Sequence, residues 1–209
     1  MTEEQKKARC LDFRKLVYYR HGEREEISNR LIYRLKDHPD RRTAIFLARE
    51  LSERIRAMLA ERELAPEDVV LTYLPRSRGA ILSTGVDQAK LLARTVSEIC
   101  NLPVYPLIRR RFGHGKQQKT LSYAERIRNA KTSFRSVTRE DLKGKYAILL
   151  DDIVTSGAGM AACARLLRKA GLRGVLCAAI ASDDVNREPP TVQPRMKSEY
   201  DRAFFVKKH

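Results

Sequence analysis

Two adjacent aspartates, Asp151 and Asp152, end an apolar run, and a loop of small and hydroxyl-bearing residues follows them. The members of this loop are Thr155, Ser156, Gly157, Ala158 and Gly159. A helical pattern begins at the loop, so backbone N–H groups and the positive end of the helix dipole would attract an anion there. Glycine lets a ligand approach the backbone closely, and the hydroxyls add donors. The residue types therefore suit a phosphate monoester.

The two carboxylates indicate that such a ligand carries more than a phosphate. An ionised aspartate only accepts hydrogen bonds, and a ribose offers two neighbouring hydroxyl donors. Asp151 and Asp152 would accept from these hydroxyls while the loop holds the 5′-phosphate. The alternative is a strand that ends in solvated acids before an ordinary turn. The chain has no G-x-x-x-x-G-K-[ST] motif, and the loop is not a G-x-G-x-x-G motif.

Strand and helix patterns alternate on both sides of this loop. Apolar, β-branched runs predict strands at 68–75, 102–108, 145–152 and 174–182, and helical periodicity predicts helices at 25–38, 41–63, 86–100, 122–130 and 157–171. The alternation predicts an α/β fold: an open, mainly parallel twisted sheet flanked by helices, with a helical N-terminal addition. The segments 76–85 and 109–119 are predicted as loops. Ligands of such sheets bind beyond the carboxyl ends of the strands, so the loops after 68–75 and 145–152 would face one crevice.

Three regions follow from these patterns. We expect a helical N-terminal segment or hood at 1–64, an α/β core at 65–183, and a C-terminal tail or flap at 184–209 that contains three prolines. The four cysteines, Cys10, Cys100, Cys163 and Cys177, form no C-x-x-C pair and are expected to be free thiols in a reducing compartment. No signal peptide and no apolar run of about 18 residues is visible, which predicts a cytoplasmic protein without a membrane span.

Positive charge is concentrated in one part of the chain. The net charge is +16, and the segment Leu102–Arg135 holds nine Lys or Arg residues and a single acid, so it contributes +8. Within it, the cations Arg109, Arg110, Arg111, Lys116 and Lys119 stand close together. Such a cluster is typical of a site for a polyanion, whether a nucleic acid or a phosphorylated ligand. A solvated basic surface is the alternative.

The stretch "ILLDDIVTSGAG" resembles the signature of the type I phosphoribosyltransferases, which bind phosphoribosyl pyrophosphate (PRPP). Gly159 stands where the last threonine of that signature is usual. The segments "STGVDQAKLLA", "LIRRR" and "LSYAERIRNAKTSF", in this order before the signature, resemble the ComF family, which is implicated in DNA uptake during natural transformation. The chain departs from that family in two places: only Cys10 lies where a zinc-binding cysteine cluster is usual, and Thr84–Gln88 replaces Arg-Gly-Phe-Asn-Gln.

The resemblance implies a role for each candidate residue. Asp151 and Asp152 would orient the ribose and stabilise positive charge on it, and Thr155 to Gly159 would bind the 5′-phosphate. A second loop, Pro75, Arg76, Ser77 and Arg78, would bind the pyrophosphate, for which arginine forks are suited. Mg²⁺ would be held mainly by PRPP oxygens and water rather than directly by the protein. The acceptor is a small molecule that the sequence does not identify, and a homodimer is possible.

The basic segment has two interpretations. It occupies the position of the mobile catalytic lid of the resembling enzymes, where Lys116 would supply countercharge during transfer. It would equally follow the backbone of a single-stranded nucleic acid. The sequence does not rank a lid of Arg109, Arg110, Arg111 and Lys119 above a nucleic-acid contact. Two functions therefore stay open: a phosphoribosyltransferase, and a non-catalytic protein that binds PRPP and single-stranded DNA in competence.

Overall fold

The computed structural model of the chain describes residues 13–18, 27–37, 41–111, 132–155 and 157–182. Its strands are β1 (Phe13–Tyr18), β2 (Val69–Tyr73), β3 (Ile108–Arg110), β4 (Phe134–Ser136), β5 (Tyr146–Val154) and β6 (Gly174–Ser182). Its α-helices are α1 (Ile27–Asp37), α2 (Arg41–Ala60), α3 (Arg78–Thr84), α4 (Gln88–Cys100) and α5 (Ala158–Lys169), and short 3₁₀ turns lie at Pro66–Asp68 and Glu140–Leu142.

The main sheet is parallel and has the order β1-β6-β5-β2. Strand β5 is central, so apolar residues occupy both of its faces, and the run Ala147–Leu150 is buried throughout. Strand β2 lies beside it with Tyr73 opposite Leu150. This arrangement confirms the predicted open parallel sheet with flanking helices. It also places the loops that follow β2 and β5 at one edge.

Each face of the sheet carries a separate hydrophobic core, because successive strand residues point to opposite sides. Helices α1, α2 and α4 cover one face, where Leu150 and Ile148 join a buried cluster with Leu51 and Leu92. Helix α5 and the two-stranded β3–β4 ribbon cover the other face. There the buried side chains include Ala147, Leu149, Phe134, Cys163 and Leu167. The site therefore lies at the edge of a sheet that is packed on both sides.

Three local predictions were wrong. Residues 78–84 form helix α3 rather than a loop; Ser77 caps this helix, and none of its residues is buried, so no apolar periodicity marks it. The segment predicted as a strand at 102–108 forms an isolated bridge between Val104 and Leu71, and of its residues only Ile108 belongs to a strand, β3. The basic loop predicted from Arg109 starts as strand β3, since pairing with the distant β4 overrides the weak local preference.

The N-terminal region joins the main sheet. Strand β1, which the sequence did not reveal, pairs with β6 so that Phe13 lies opposite Cys177. Buried residues of α2 share the core of α4 and β6. The division at 64/65 and at 183/184 stays a prediction, and the tail 184–209 lies outside the described residues. Within the described part of the chain, no helix is both long and apolar enough to cross a membrane.

Candidate functional site

Asp151 and Asp152 lie at the carboxyl end of β5 and are largely buried, with 9% and 8% of their surface exposed. By the strand alternation, Asp151 faces the side of Leu149 and α5, whereas Asp152 faces the side of Leu150 and α4. The Asp152 N–H donates to Asp151 Oδ1 at 2.9 Å, and the Ile153 N–H donates to Asp152 Oδ1 at 2.8 Å. Both carboxylates are thus held against their own backbone, on opposite faces of one strand.

The start of α5 lies directly beyond these carboxylates. Gly157 has a left-handed backbone with φ of 69°, and its carbonyl accepts from the Ala161 N–H at 2.9 Å, which closes the first turn. The N–H groups of Gly159 and Met160 lie in that turn, where helix geometry provides no intrahelical acceptor. Thr155 is exposed, and Ser156 lies outside the described residues. A Cβ atom built on Gly159 would lie 3.4 Å from Leu74 Cδ2, an ordinary contact.

The loop Pro75–Arg78 begins next to β5, because the Leu74 N–H extends the ladder by donating to the Leu150 carbonyl at 2.8 Å. The Arg76 guanidinium donates to Gln88 Oε1, with Thr84 Oγ1 at 3.5 Å. Ser77 is engaged as the cap of α3, since its hydroxyl accepts from the Ala80 N–H at 3.2 Å. Arg78 is exposed at the first position of α3. The loop is therefore fixed by its own side chains close to the carboxylates.

Arg110 is the member of the arginine run that points into the site. Its Nε donates to the Pro75 carbonyl at 3.0 Å, and its guanidinium lies 4.9 Å from the centre of the Phe134 ring. Burial lowers the pKa of Arg110, whereas the neighbouring Cys163 and Asp151 oppose that effect. Its neighbours Arg109 and Arg111 are exposed. The structure thus separates three residues that the sequence treated as one cluster.

Asp87 and Gln88 lie near the Pro75–Arg78 loop, although in the sequence they stand out only as part of a departure from a family pattern. The Asp87 carboxylate caps α4 by accepting from the Lys90 N–H at 3.2 Å. Burial raises the pKa of Asp87, and the negative charge of Asp152 raises it further. Hydrogen bonds from the backbone of Lys90 and of Arg76 act in the opposite direction and lower this pKa. Gln88 is fully buried. An aspartate directly before a helical pattern is the signal for such a cap.

The remaining predicted residues lie apart or outside. Arg109 on β3 stands opposite Arg135 on β4, and both side chains are exposed. Lys116 and Lys119 lie outside the described residues. Among the residues that the structure does describe, no three or more His, Cys, Asp or Glu side chains are grouped so as to hold a metal ion. Cys163 and Cys177 are buried free thiols, as expected, and Cys100 is half-buried.

Comparisons with known proteins identify a phosphoribosyl transferase domain in this chain. Residues 80–204 match the family model of the phosphoribosyl transferase domain. Competence protein F of Haemophilus influenzae is 30% identical over 92 residues, which are 44% of this chain and 40% of that protein. The chain thus spans less than half of this curated relative.

Among solved structures, glutamine PRPP amidotransferase from B. subtilis matches with 20% identity over 73% of this chain and 30% of its own, at a TM-score of 0.44. Adenine phosphoribosyltransferase from Saccharomyces cerevisiae matches with 16% identity over 65% of this chain and 68% of its own, at a TM-score of 0.40. The family model covers more than half of the chain, including Asp151, Asp152 and the loop that follows them, whereas the Pro75–Arg78 loop lies before its first matched residue. The chain belongs to the phosphoribosyl transferase domain family.

Proposed function

We propose that this protein binds PRPP together with Mg²⁺ and transfers its phosphoribosyl group to a small-molecule acceptor, releasing pyrophosphate. The observation that carries the proposal is the shared sheet edge: two buried carboxylates end β5, α5 begins beyond them, and the arginine-containing loop follows the adjacent strand β2. An anion site at α5, a hydroxyl-accepting site at the carboxylates and a second anion site at the Pro75–Arg78 loop thus stand side by side. This order matches the 5′-phosphate, the ribose hydroxyls and the pyrophosphate along PRPP.

Each part has a defined task in this proposal. Asp151 and Asp152 accept from the ribose hydroxyls and stabilise positive charge that develops on the ribose ring as the bond from C1 to pyrophosphate breaks. The residues Thr155 to Gly159 bind the 5′-phosphate, and the Pro75–Arg78 loop binds the pyrophosphate. An acceptor nucleophile then bonds to C1 and gives up a proton. Lys116 is retained as a proposed source of countercharge.

Mg²⁺ would neutralise charge on the leaving pyrophosphate and would be held mainly by ligand oxygens and water. The carboxylates of Asp151 and Asp152 are hard oxygen donors, which suits a hard cation close to the ligand. A homodimer is a further proposal, and sedimentation equilibrium would test it.

Calorimetric titration of PRPP with Mg²⁺ tests the site. The variant Asp151→Asn/Asp152→Asn keeps the shape of both side chains and removes their charge. Asp141→Asn is the matched control, because Asp141 is an exposed carboxylate whose ion pair with Arg139 lies on the surface. We expect wild type and control to bind, and the double variant to bind at least about tenfold more weakly. A wild-type protein that does not bind PRPP would overturn the proposal.

Turnover is a separate question that the Asp152→Asn variant answers. With PRPP, Mg²⁺ and a panel of purine, pyrimidine and pyridine acceptors, wild type is expected to release pyrophosphate, and Asp152→Asn is expected to lose this activity. Fully retained release by Asp152→Asn would rule out the assigned role of that carboxylate.

A second candidate function, binding of single-stranded nucleic acid, is favoured by the β3–β4 ribbon. Arg109 and Arg135 form a directly opposed pair, and ladder bonds on either side, Arg111 N–H to Ser133 O and Val137 N–H to Leu107 O, set this register. The Cα atoms of such a pair are about 5.5 Å apart, and like charges so placed repel. Within the described residues neither side chain has a hydrogen bond or an ion pair. A bridging phosphate would relieve the repulsion, and the name of the Haemophilus relative, Competence protein F, supports a role in competence.

Fluorescence anisotropy with a labelled single-stranded DNA tests this candidate. Arg109→Ala/Arg135→Ala is expected to weaken binding and to reduce the steepness of its salt dependence, because two phosphate contacts are lost. Arg165→Ala/Arg168→Ala removes the same charge from the exposed side of α5 and serves as the control. Equal weakening in both variants would mean that only the net charge matters.

A further inference from the structure

Arg110 connects three parts of the candidate site that are remote in sequence. It belongs to β3 and is paired with Phe134 of β4, over whose buried ring its guanidinium lies. Its Nε donates to the Pro75 carbonyl in the loop after β2. Its charge acts on Asp151 at the end of β5. A lid residue or a contact to an extended polyanion would need a free side chain, and Arg110 is neither exposed nor free.

The groups around Asp151 show why the positive charge of Arg110 matters there. Arg110 from β3, Cys163 from α5 and Cys177 from β6 are titratable groups that interact with Asp151. Burial raises the pKa of the Cys177 thiol to about 12 and that of Cys163 well above its ordinary value, so both thiols are neutral near pH 7. Of these three groups, Arg110 carries a charge at that pH.

We propose that Arg110 is a positioning residue that ties the Pro75–Arg78 loop to the end of β5 by holding the Pro75 carbonyl and facing the Asp151 carboxylate. The inference rests on the proposed function, because it assigns the two tied parts to two neighbouring groups of one ligand, the pyrophosphate and the ribose. The pyrophosphate loop and the ribose carboxylate are then kept at a fixed spacing before the ligand arrives. Preorganisation of this kind lowers the ordering cost of binding.

The two contacts of Arg110 separate in a pair of variants. Arg110→Met keeps an unbranched side chain that packs against Phe134 and loses both the donor and the charge. Arg110→Lys keeps the charge near Asp151 but loses the planar Nε donor that holds Pro75. The control is Arg173→Met: Arg173 also stacks on an aromatic ring, that of Tyr146 at 5.6 Å, but at the opposite end of the strands.

Hydrogen exchange of the ligand-free protein measures the first contact. Amides of residues 76–79 are expected to exchange about tenfold faster in Arg110→Met and in Arg110→Lys, and at the wild-type rate in Arg173→Met. This readout needs no PRPP. Faster loop exchange together with a wild type that fails to bind PRPP would sink the proposed function and leave the positioning role standing.

The pH dependence of PRPP binding measures the second contact. Loss of the cation in Arg110→Met makes ionisation of Asp151 less favourable, so binding should be lost at a higher pH on the acid side than in wild type. Arg110→Lys should lose PRPP binding at the same acid pH as wild type, while its amides at residues 76–79 still exchange fast. The inference is overturned if the amides of residues 76–79 exchange at the wild-type rate in both variants. It is also overturned if Arg110→Met loses PRPP binding at the same acid pH as wild type. If Arg110→Met does not fold, loop exchange in Arg110→Lys decides alone.

Discussion

Gly159 occupies the position where the phosphoribosyltransferase signature usually carries a threonine, and the structure has room for a side chain there. A Cβ atom would meet Leu74 Cδ2 at 3.4 Å and Phe134 Cε2 at 3.9 Å, both ordinary contacts. We expect Gly159→Thr to fold and to bind PRPP roughly tenfold more tightly, because a hydrogen bond to a charged group contributes about 1.5–3 kcal/mol. Calorimetry gives the affinity, and Gly159→Val, which has the same shape without the hydroxyl, is the control. Equal affinities of the two variants would contradict this role of the hydroxyl.

Cys177 gives a second prediction at the scale of one residue. Its thiol pKa is raised by burial from an ordinary 9.0 to about 12. Above about pH 9 the unfolded chain loses this proton and the folded chain does not, so stability falls as the pH rises through this window. The loss is about 1.4 kcal/mol per pH unit. Urea unfolding at about pH 8 and about pH 10 measures it.

The matched control for that experiment is Cys177→Ala, which removes the titrating thiol. Lysines and tyrosines also titrate at high pH, but they do so in both proteins. The difference between the two slopes therefore isolates the thiol. Parallel slopes would show that Cys177 ionises in the folded protein as easily as in the unfolded one.

At this scale the sequence predicted residue types better than residue directions. The pair Asp151 and Asp152 was identified because carboxylates at a strand end before a glycine loop form a strong pattern. The three consecutive arginines are chemically identical in the sequence. Only the pairing of β3 with β4 makes Arg110 point inward and Arg109 outward, and that pairing depends on residues about 25 positions away.

The beginning of α5 is the element whose backbone matters most for the site. Gly157 has a φ of 69°, and a Cβ atom there would meet only Val154 Cγ1 at 3.9 Å, so a substitution is opposed by backbone conformation rather than by space. We expect Gly157→Ala to lower the free energy of unfolding by about 1–2 kcal/mol. Chemical denaturation measures this value.

Gly159→Ala is the control for that prediction. It is two positions further on, inside the same helix, where alanine is preferred to glycine by about 1 kcal/mol. The two glycine-to-alanine changes should therefore move stability in opposite directions. A Gly157→Ala protein as stable as wild type would show that the turn relaxes without cost.

The elements were predictable where the local pattern was strong. Strand β5 and helix α5 were located to within about two residues, because a continuous apolar run and a helical repeat adjoin there. Helix α3 was missed, since its seven residues bury nothing and include a glycine. Strand β1 was missed because its sequence FRKLVY mixes charges with apolar residues, and its stability comes from β6 at the far end of the described chain.

At the scale of the whole molecule, the net charge of +16 makes self-repulsion a term in folding stability. We expect the melting temperature to rise when the ionic strength is raised from about 10 mM to about 150 mM, because screening shortens the reach of this repulsion from about 30 Å to about 8 Å. Differential scanning calorimetry in potassium chloride measures the shift. A melting temperature that falls with salt would mean that local ion pairs, such as Arg14 with Glu61, outweigh the global repulsion.

The position of β1 at the edge of the sheet has a consequence for biosynthesis. Its partner in the main sheet is β6, and Phe13 and Cys177 are 164 positions apart (177 − 13). While the ribosome adds residues one at a time, β1 has no place in the sheet until 174–182 have emerged, so the sheet is completed only after β6 has been made. Pairings this distant also slow folding, because the intervening chain must be ordered first. A nascent chain stalled before β6 should therefore expose β1 to chaperones and proteases.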